Sequence, residues 1–351
     1  EMRRVLSVFA LLVSAGCSSL GYYGQSVHGQ LSVMAASRPV EEVIVDPDTP
    51  ASVRSRLQAL PLLRQFATAE LALPESSSYR FYADVRRDAL VWNVVAAPVD
   101  SLTPRRWCYP VIGCANYRGY FDQQAALGFA SGLSAEGWDA AVEPVPAYST
   151  LGWFSDPLPS TVIDWPLADI AGLMFHELAH EALYVKGDSA FNEAYATVVE
   201  EEGVRRWLEQ YGDRQQRHEH SLSQRRRREF LRLLADIRGQ LNRLYATDLG
   251  RADLLREKAA IFKCLKAGYI ELQHAWDGYS GYDRWVNRPL NNAHLASINT
   301  YHALMPAFRA ILNSHDGDMA AFHASCARLA EVPETERKQH MDALLLKARA
   351  D

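Results

Sequence analysis

The stretch Phe175-His176-Glu177-Leu178-Ala179-His180 matches the pattern H-E-x-x-H. On a helix, residues four apart lie on one face, so His176 and His180 can bind one metal ion while Glu177 projects beside it. Catalytic zinc takes three protein ligands and keeps one position for water, whose pKa it lowers. The spacing therefore predicts a zinc site in which Glu177 is the general base that takes a proton from zinc-bound water.

The residues around this motif favour a helix from Pro166 to about Tyr184. Apolar residues recur at helical spacing through the segment, Asp164 can cap its N-terminus, and Pro166 suits the first turn. Because chance matches to H-E-x-x-H need not fall on a helix, this context supports metal binding.

A third zinc ligand must come from outside the motif. A turn after Tyr184 and a cap at Asp188 or Ser189 predict a second helix over residues 190–203. A tight helical hairpin brings the opening turns of this second helix back beside the motif. We therefore expect Glu193 to be the third ligand.

Glu200 lies two turns further along the same face and is the alternative ligand. If Glu193 binds the metal, Glu200 and Asp188 are candidates to hold the ligand imidazoles in the right tautomer. The acidic run Glu200-Glu201-Glu202 could instead recognise a substrate ammonium group. The sequence leaves these roles open.

The segment before the motif has a β pattern. Residues 79–85 and 89–96 are predicted to form a β-hairpin, and residues 138–156 an edge strand to which a peptide backbone could add. The chain after the motif is almost wholly helical. This order predicts an α+β, mostly helical fold of zincin-like architecture. We expect a small β-containing lobe over about 46–165, and active-site helices with a helical lobe over about 166–351.

The N-terminus is predicted to be a secretory signal at residues 1–16, with a basic start, a short apolar core and small residues before Cys17. These small residues resemble the lipobox of bacterial lipoproteins, although Ser14 stands where Leu is favoured. We therefore expect lipid on Cys17 and a lipid-anchored segment over residues 17–45. Because Ser18 follows the cysteine, we expect the outer membrane, facing the periplasm.

If Cys17 carries lipid, four cysteines remain in an oxidising compartment, which favours disulfides. Cys108 and Cys114 enclose a turn-rich loop, and we expect a bridge between them. Cys264 and Cys326 lie in helical patterns, where they are either bridged or buried.

The charge pattern argues against one class of partner. The chain has a net charge of −5, and its basic residues are dispersed apart from Arg225–Arg228, a run typical of a solvated helix face. We therefore expect no nucleic-acid partner. The expected partners are a peptide substrate and, through the lipid anchor, a membrane.

The stretch from His176 to Leu208 closely resembles a bacterial family of predicted zinc aminopeptidases. Residues 114–122, 148–157 and 288–301 are similar to further signatures of that family. The resemblance implies a lipoprotein-like metallopeptidase whose metal ligands are His176, His180 and Glu193.

Residues 291–301 are polar where a helix of the lower lobe would usually be apolar. Zinc peptidases need a donor for the oxyanion that forms during attack on the carbonyl, often a Tyr or a His. His294 and Tyr301 are therefore candidate catalytic residues, with Tyr148 as a third candidate. The alternative is that they are ordinary polar residues on a packed helix.

Together these features predict a zinc-dependent peptidase, and the resemblance favours an aminopeptidase. Two alternatives stay open: a zinc endopeptidase of the cell envelope, and a non-catalytic zinc-binding envelope lipoprotein. The intact Glu177 argues against the second, because a structural site gains nothing from a base and tends to close its fourth position with protein.

Overall fold

The computed structural model of the chain describes residues 21–109, 113–150, 154–297 and 304–350. The predicted signal segment, Cys17 and Tyr301 lie outside these residues.

Helices make up most of the described chain, which confirms the expected α+β, mostly helical class. The helices are α1 (residues 21–35), α2 (Val40–Val45), α3 (Ala51–Leu71), α4 (Gln123–Ala135), α5 (Leu167–Ala182), α6 (Ser189–Tyr211), α7 (Arg214–Tyr245), α8 (Arg251–Ala275), α9 (Asp283–Val286), α10 (Asn292–Ser297), α11 (Met305–Ser314), α12 (Met319–Glu331) and α13 (Glu334–Ala350). None of the helices in the described ranges combines the length and apolarity needed to cross a bilayer.

The strands are short and fall into three groups. They are β1 (Ser37–Pro39), β2 (Phe81–Ala83), β3 (Val91–Pro98), β4 (Trp107–Tyr109), β5 (Gly113–Ala115), β6 (Arg118–Tyr120), β7 (Trp138–Val145) and β8 (Leu158–Pro159). One sheet has the order β1-β2-β8, the second has the order β6-β3-β7, and β4 pairs with β5. In the second sheet β3 runs antiparallel to both neighbours, with Trp92 opposite Tyr120 and Pro144.

The predicted hairpin over residues 79–96 is wrong, because its two halves belong to different sheets. β2 pairs with β1 and β8, whereas β3 pairs with β6 and β7. The linker between them is held by the guanidinium of Arg87, which donates to the carbonyls of Leu90 and Phe121. These bonds tie the linker to the end of β6, so the chain crosses to the second sheet instead of folding back.

Helix α5 contains the H-E-x-x-H residues and starts later than its predicted cap. The N-cap is Pro166, and no side chain caps the helix. Asp164 does not cap it, because a turn in which Trp165 N–H donates to the Val162 carbonyl precedes the helix. The helix ends at Ala182 because Leu183 takes an extended backbone conformation.

The main core lies where α5 and α6 pack against α3, α11 and α12. Two glycines let α5 and α6 approach closely. A Cβ on Gly203 would lie 2.6 Å from a ring carbon of Phe175, and one on Gly172 would lie 3.3 Å from Val204. Since Gly172 at the start of α5 meets the second half of α6, the two helices run antiparallel and present facing side chains along their length.

A second core joins α7 and α8 around Phe230, Leu265 and Trp276. Helix α10 packs its small residues Ala293 and Ala296 against the β6-β3-β7 sheet. The two histidines of the H-E-x-x-H motif lie at the main core, on the side of α5 that faces α6.

Candidate metal centre

Three side chains of α5 and α6 converge in one place. The Nε2 atom of His176 lies 3.4 Å from Oε2 of Glu193, and Nε2 of His180 lies 3.6 Å from Oε1 of the same carboxylate. The two imidazole rings are 4.9 Å apart at an interplanar angle of 84°. One ligand atom from each of the three residues lies within 4.8 Å of the other two, so the cluster could hold a metal ion.

The spacing of these atoms suits zinc. In a tetrahedral zinc site with bonds of about 2.0–2.1 Å, neighbouring ligand atoms lie roughly 3.3 Å apart. The two measured nitrogen–oxygen separations, 3.4 and 3.6 Å, are close to this value. Two imidazoles and one carboxylate are also the donor set of known catalytic zinc sites. The residues present therefore fit the ion that the sequence implied.

The turn between α5 and α6 places Glu193 at this point. The side chain of Asn192 accepts from the N–H of Val185 and donates to its carbonyl, both over 2.8 Å. Asp188, one of the two caps that the sequence left open, caps α6 by accepting from the N–H of Phe191, and its other oxygen pairs with Arg337 at 2.9 Å. Asp188 is thus engaged at the helix start rather than with a ligand imidazole.

Glu200 holds the first imidazole from behind. Its Oε2 lies 3.0 Å from Nδ1 of His176, and its Oε1 lies 3.7 Å from the guanidinium of Arg227. A carboxylate can only accept, so Nδ1 of His176 carries a proton, and Nε2 faces Glu193. Glu200 therefore lies outside the three-residue cluster and fits the second role that the sequence offered, fixing a tautomer.

The other two carboxylates of the acidic run have different partners. Glu201 pairs with Arg309. Glu202 accepts from Arg205 and Arg206, each over 2.6 Å. These ion pairs leave Glu200 as the member of the run that contacts the candidate metal centre.

The pKa values of the two histidines move in opposite directions. Burial lowers the pKa of His176, but hydrogen bonds to Glu193 and Glu200 outweigh this and raise it to about 10. Burial, together with the charge on His176, lowers the pKa of His180 to about 4. Without a metal, a positive charge therefore sits on His176 between two carboxylates, at a place suited to a cation.

Burial raises the pKa of Glu177 to about 7, against the lowering effect of His176. The carboxylates of Glu193, Asp156 and Glu200 raise it further. A general base works best when its pKa lies near the working pH, so this environment suits Glu177 to accept and return a proton.

The wall beside Glu177 is acidic and is formed where α5 meets the β-containing part of the chain. Ser78 donates to Glu181 over 2.8 Å, and its hydroxyl also accepts from the N–H of Asp156 over 3.3 Å. The carboxylate of Asp156 is buried and accepts from both the N–H and the hydroxyl of Thr150. Two carboxylates are thus fixed near the candidate base.

Two tyrosines that the sequence did not single out lie near these charges. Burial raises the pKa of Tyr79, and Glu177 is the largest charge contribution to that rise. Tyr117 is 48% exposed, and its partial burial, followed by the charge of Glu193, raises its pKa. Tyr79 also has a positive φ of 61°. Neither tyrosine belongs to a sequence motif with a defined spacing. Their position near the site depends on residues far along the chain, so the sequence alone did not predict it.

The contact of Arg227 with Glu200 was not predicted either, because the run Arg225–Arg228 was interpreted as a solvated helix face. Arg227 lies three residues before Phe230 and seven before Leu234, on the buried face of α7. This spacing from two apolar residues could have indicated that Arg227 faces the protein. His220 lies on the same face, seven residues earlier. Burial lowers the pKa of His220, and the charges of Asp169 and Glu200 only partly oppose that fall.

The three candidate oxyanion donors have different outcomes. His294 is buried on α10, and its described contacts are with Asn291, Glu143 and Trp285, none of which belongs to α5 or α6. Packing of α10 against the β6-β3-β7 sheet holds it there. Tyr148 donates to Gln30 and packs edge-on against Phe121. Tyr301 lies outside the described residues.

Of the predicted edge strand over residues 138–156, β7 covers Trp138–Val145 and lies at the edge of its described sheet. Part of this edge is covered. Asn291 donates to the carbonyl of Ala140 over 2.9 Å, and Arg288 pairs with Glu143 at 3.0 Å. The loop that follows α9 therefore uses part of the edge that a peptide would need.

A disulfide joins Cys108 to Cys114 across β4 and β5. A Cβ added to Gly113 would lie 3.9 Å from Cε of Lys186, so this hairpin lies beside the α5–α6 turn. Cys264 is exposed and Cys326 is buried, and both are free thiols.

A family model described as "Putative aminopeptidase" matches residues 21–341. No curated protein and no solved structure matches the chain. Because the match covers most of the chain, the protein belongs to the putative aminopeptidase family.

Proposed function

We propose that the protein is a zinc-dependent aminopeptidase of zincin-like architecture. The observation that carries the proposal is the convergence of His176, His180 and Glu193, with one ligand atom from each within 4.8 Å of the others. Family membership supports a peptidase. The half-buried Glu177 on the same helix, whose pKa is raised to about 7, would supply the base that peptide hydrolysis requires.

In this proposal His176 and His180 bind zinc through Nε2, and Glu193 binds it through its carboxylate. Zinc bound there would lower the pKa of a water molecule and polarise the peptide carbonyl. Glu200 keeps Nδ1 of His176 protonated, so that Nε2 presents its lone pair to the metal.

Glu177 moves the proton. With a pKa raised to about 7, its carboxylate can take a proton from the attacking water near neutral pH. The same carboxyl group then gives that proton to the departing amine. Glu177 is partly buried, which strengthens the electrostatic interactions on which both transfers depend.

The charge beside the base favours a substrate with a free amino group. Asp156 raises the pKa of Glu177 and is not one of the proposed metal ligands, so its carboxylate adds negative charge beside the base. A protonated amino terminus would be attracted to this region, whereas an acetylated one would not. This electrostatic argument and the family name both favour an exopeptidase.

We further propose that the protein acts in the bacterial cell envelope. The signal-like pattern over residues 1–16 and the lipobox-like residues before Cys17 support this location. The disulfide between Cys108 and Cys114 is consistent with an oxidising compartment.

Glu177→Gln tests the mechanism. The variant keeps the shape of the side chain but loses its base, so we expect it to bind one zinc ion per chain and to lose peptide cleavage by about a hundredfold or more. Glu219→Gln, an exposed carboxylate on α7, is the matched control and should keep both properties. Undiminished cleavage by the Glu177 variant would rule out its role as base.

The substrate class is tested with pairs of peptides that differ only in N-acetylation. We expect release of the first residue from the free peptide and no cleavage of the acetylated one. Equal cleavage of both at an internal bond would replace the aminopeptidase with an endopeptidase. Bound zinc with no cleavage of any peptide in a library would favour a binding protein.

A further inference from the structure

Helix α1 exposes a line of large apolar side chains along one face. Tyr23 is 42% exposed, Val27 60%, Leu31 57% and Met34 44%. At about 100° per residue these four side chains fall within an arc of roughly 80° on the helix. These four side chains form the apolar stripe of α1. Isolated exposed apolar residues are ordinary, but a contiguous line of them marks an interaction surface.

The opposite face of α1 is held firmly by the protein, so the stripe is not a core face that has been left open. Tyr22 stacks on Tyr109 with ring centroids 5.6 Å apart, and the guanidinium of Arg118 lies 4.0 Å from the Tyr22 ring. Val33 is 2% exposed.

Two further contacts fix the rotation of the helix. Gln25 accepts from the N–H of Phe121 over 3.0 Å and donates to the carbonyl of Gly119 over 3.4 Å. Gly29 packs so closely on the Phe121 ring that a Cβ there would overlap it. The face of α1 opposite the stripe is therefore fully used in packing against the protein, and the stripe points away from it.

The chemistry of this segment suits lipid. Between Arg4 and Arg38 the sequence contains no Asp, Glu, Lys or Arg. Charged side chains are costly to place in a bilayer, and their absence removes that cost. An isolated interfacial helix turns a polar face to water. In α1 the corresponding face packs against the protein instead.

The position in the chain brings this stripe to a membrane. Cys17, the proposed lipid attachment site, precedes the start of the described helix at Gly21 by four residues. Four residues span at most about 14 Å, so an acyl chain on Cys17 would keep α1 close to the bilayer surface. A single lipid anchor leaves a domain free to reorient, and a second contact would restrict it.

We propose that the apolar stripe of α1 lies in the interfacial region of a lipid bilayer and sets the orientation of the domain on the membrane. The occupant is the lipid surface rather than a second copy of the chain. Since the stripe carries no charge, the contact is apolar and insensitive to salt. The inference rests on the proposed membrane location and is independent of peptidase activity.

A pair of tryptophan variants tests the proposal. Leu31→Trp places an indole on the stripe, and Ser32→Trp places one on the exposed neighbouring position that is off the stripe. Each full chain is reconstituted in phosphatidylethanolamine–phosphatidylglycerol vesicles whose acyl chains carry bromine, which quenches indoles that enter the bilayer. Because the chain has 8 other tryptophans, each signal is read as the difference from the unsubstituted chain.

We expect the emission of Trp at position 31 to fall by roughly half, because interfacial helices bury their apolar face about 5–10 Å deep. The emission at position 32 should not change, and high salt should not alter either result. Quenching at both positions or at neither overturns the proposal. Shielding at position 31 without vesicles, with a doubled mass in solution, overturns it in favour of a second copy.

The lipid on Cys17 is measured by mass on the same samples. Selective quenching at position 31 supports the stripe whether or not Cys17 is acylated, and unselective quenching contradicts it in either case. Failure of the anchor and failure of the stripe are therefore distinguishable.

Discussion

Glu200 accepts a hydrogen bond from Nδ1 of His176 over 3.0 Å, while Nε2 of the same ring faces Glu193. This one contact decides which nitrogen of His176 is available to a metal. It also separates the roles of two glutamates on α6 that the sequence alone left open.

Replacing Glu200 should weaken zinc binding without removing it. In Glu200→Gln the amide holds the ring less strongly, so we expect zinc affinity to fall by about 10–100-fold, as is usual for residues behind a metal ligand. Competition with a chromogenic chelator measures this. Glu201→Gln, whose carboxylate pairs with Arg309 instead, is the matched control and should change affinity little. A larger loss than in Glu193→Gln would show that Glu200 is itself a ligand.

Arg227 should act on the metal through Glu200. Its guanidinium lies 3.7 Å from Oε1 of that carboxylate and is 43% exposed, so solvent screens much of the interaction. We expect Arg227→Gln to weaken zinc by less than Glu200→Gln does, and Arg227→Lys to restore part of the loss. Arg226→Gln, on the same helix but against Tyr279, should have no effect. The account of Arg227 fails if the two glutamine variants at 226 and 227 behave alike.

Zinc binding should release about one proton near neutral pH. His176 has a pKa raised to about 10, so it is protonated in the metal-free protein at pH values below that. His180, with a pKa of about 4, is already neutral. Zinc must displace the proton on His176, and affinity should rise about tenfold per pH unit over roughly pH 6–8.

Calorimetry in buffers of different ionisation enthalpy counts the released protons directly. In Glu200→Gln one of the hydrogen bonds that raise the pKa of His176 is weakened, so fewer protons should be released. An affinity that does not change with pH would contradict a protonated His176.

Close packing of α5 against α6 should be sensitive at Gly203. A Cβ there would lie 2.6 Å from Phe175 and 2.7 Å from Leu71, so Gly203→Val should lower the free energy of unfolding by about 1–3 kcal/mol or more. Among the described residues a Cβ on Gly239 of α7 would meet only the end of the Arg243 side chain, at 3.6 Å, so Gly239→Ala should stabilise by roughly 0.5–1 kcal/mol. Urea unfolding measures both. Tolerance of valine at position 203 would mean that the two helices are not packed this closely.

Local patterns predicted the parts of the site that depend on local structure. The spacing of His176 and His180, the cap at Asp188 and the helical hairpin that brings Glu193 back are all encoded within about 30 residues. Helical periodicity and capping chemistry act over one or two turns, so a single sequence reveals them.

Features that depend on distant contacts were not predictable in this way. The strands near Phe81 and Val91 join different sheets because of partners far along the chain. The contact of Arg227 with Glu200 depends on how α7 docks on α6, and the cover that Asn291 places on β7 crosses 151 residues. Side-chain partners of this kind are set by tertiary packing, which periodicity does not record.

The central claim is that His176, His180 and Glu193 bind zinc, and zinc-edge X-ray absorption of the purified protein tests it most directly. The account predicts two imidazole nitrogens and two oxygens at about 2.0–2.1 Å, with one imidazole lost in His180→Ala. A sulfur ligand at about 2.3 Å, or a shell of oxygens without imidazole, would contradict it.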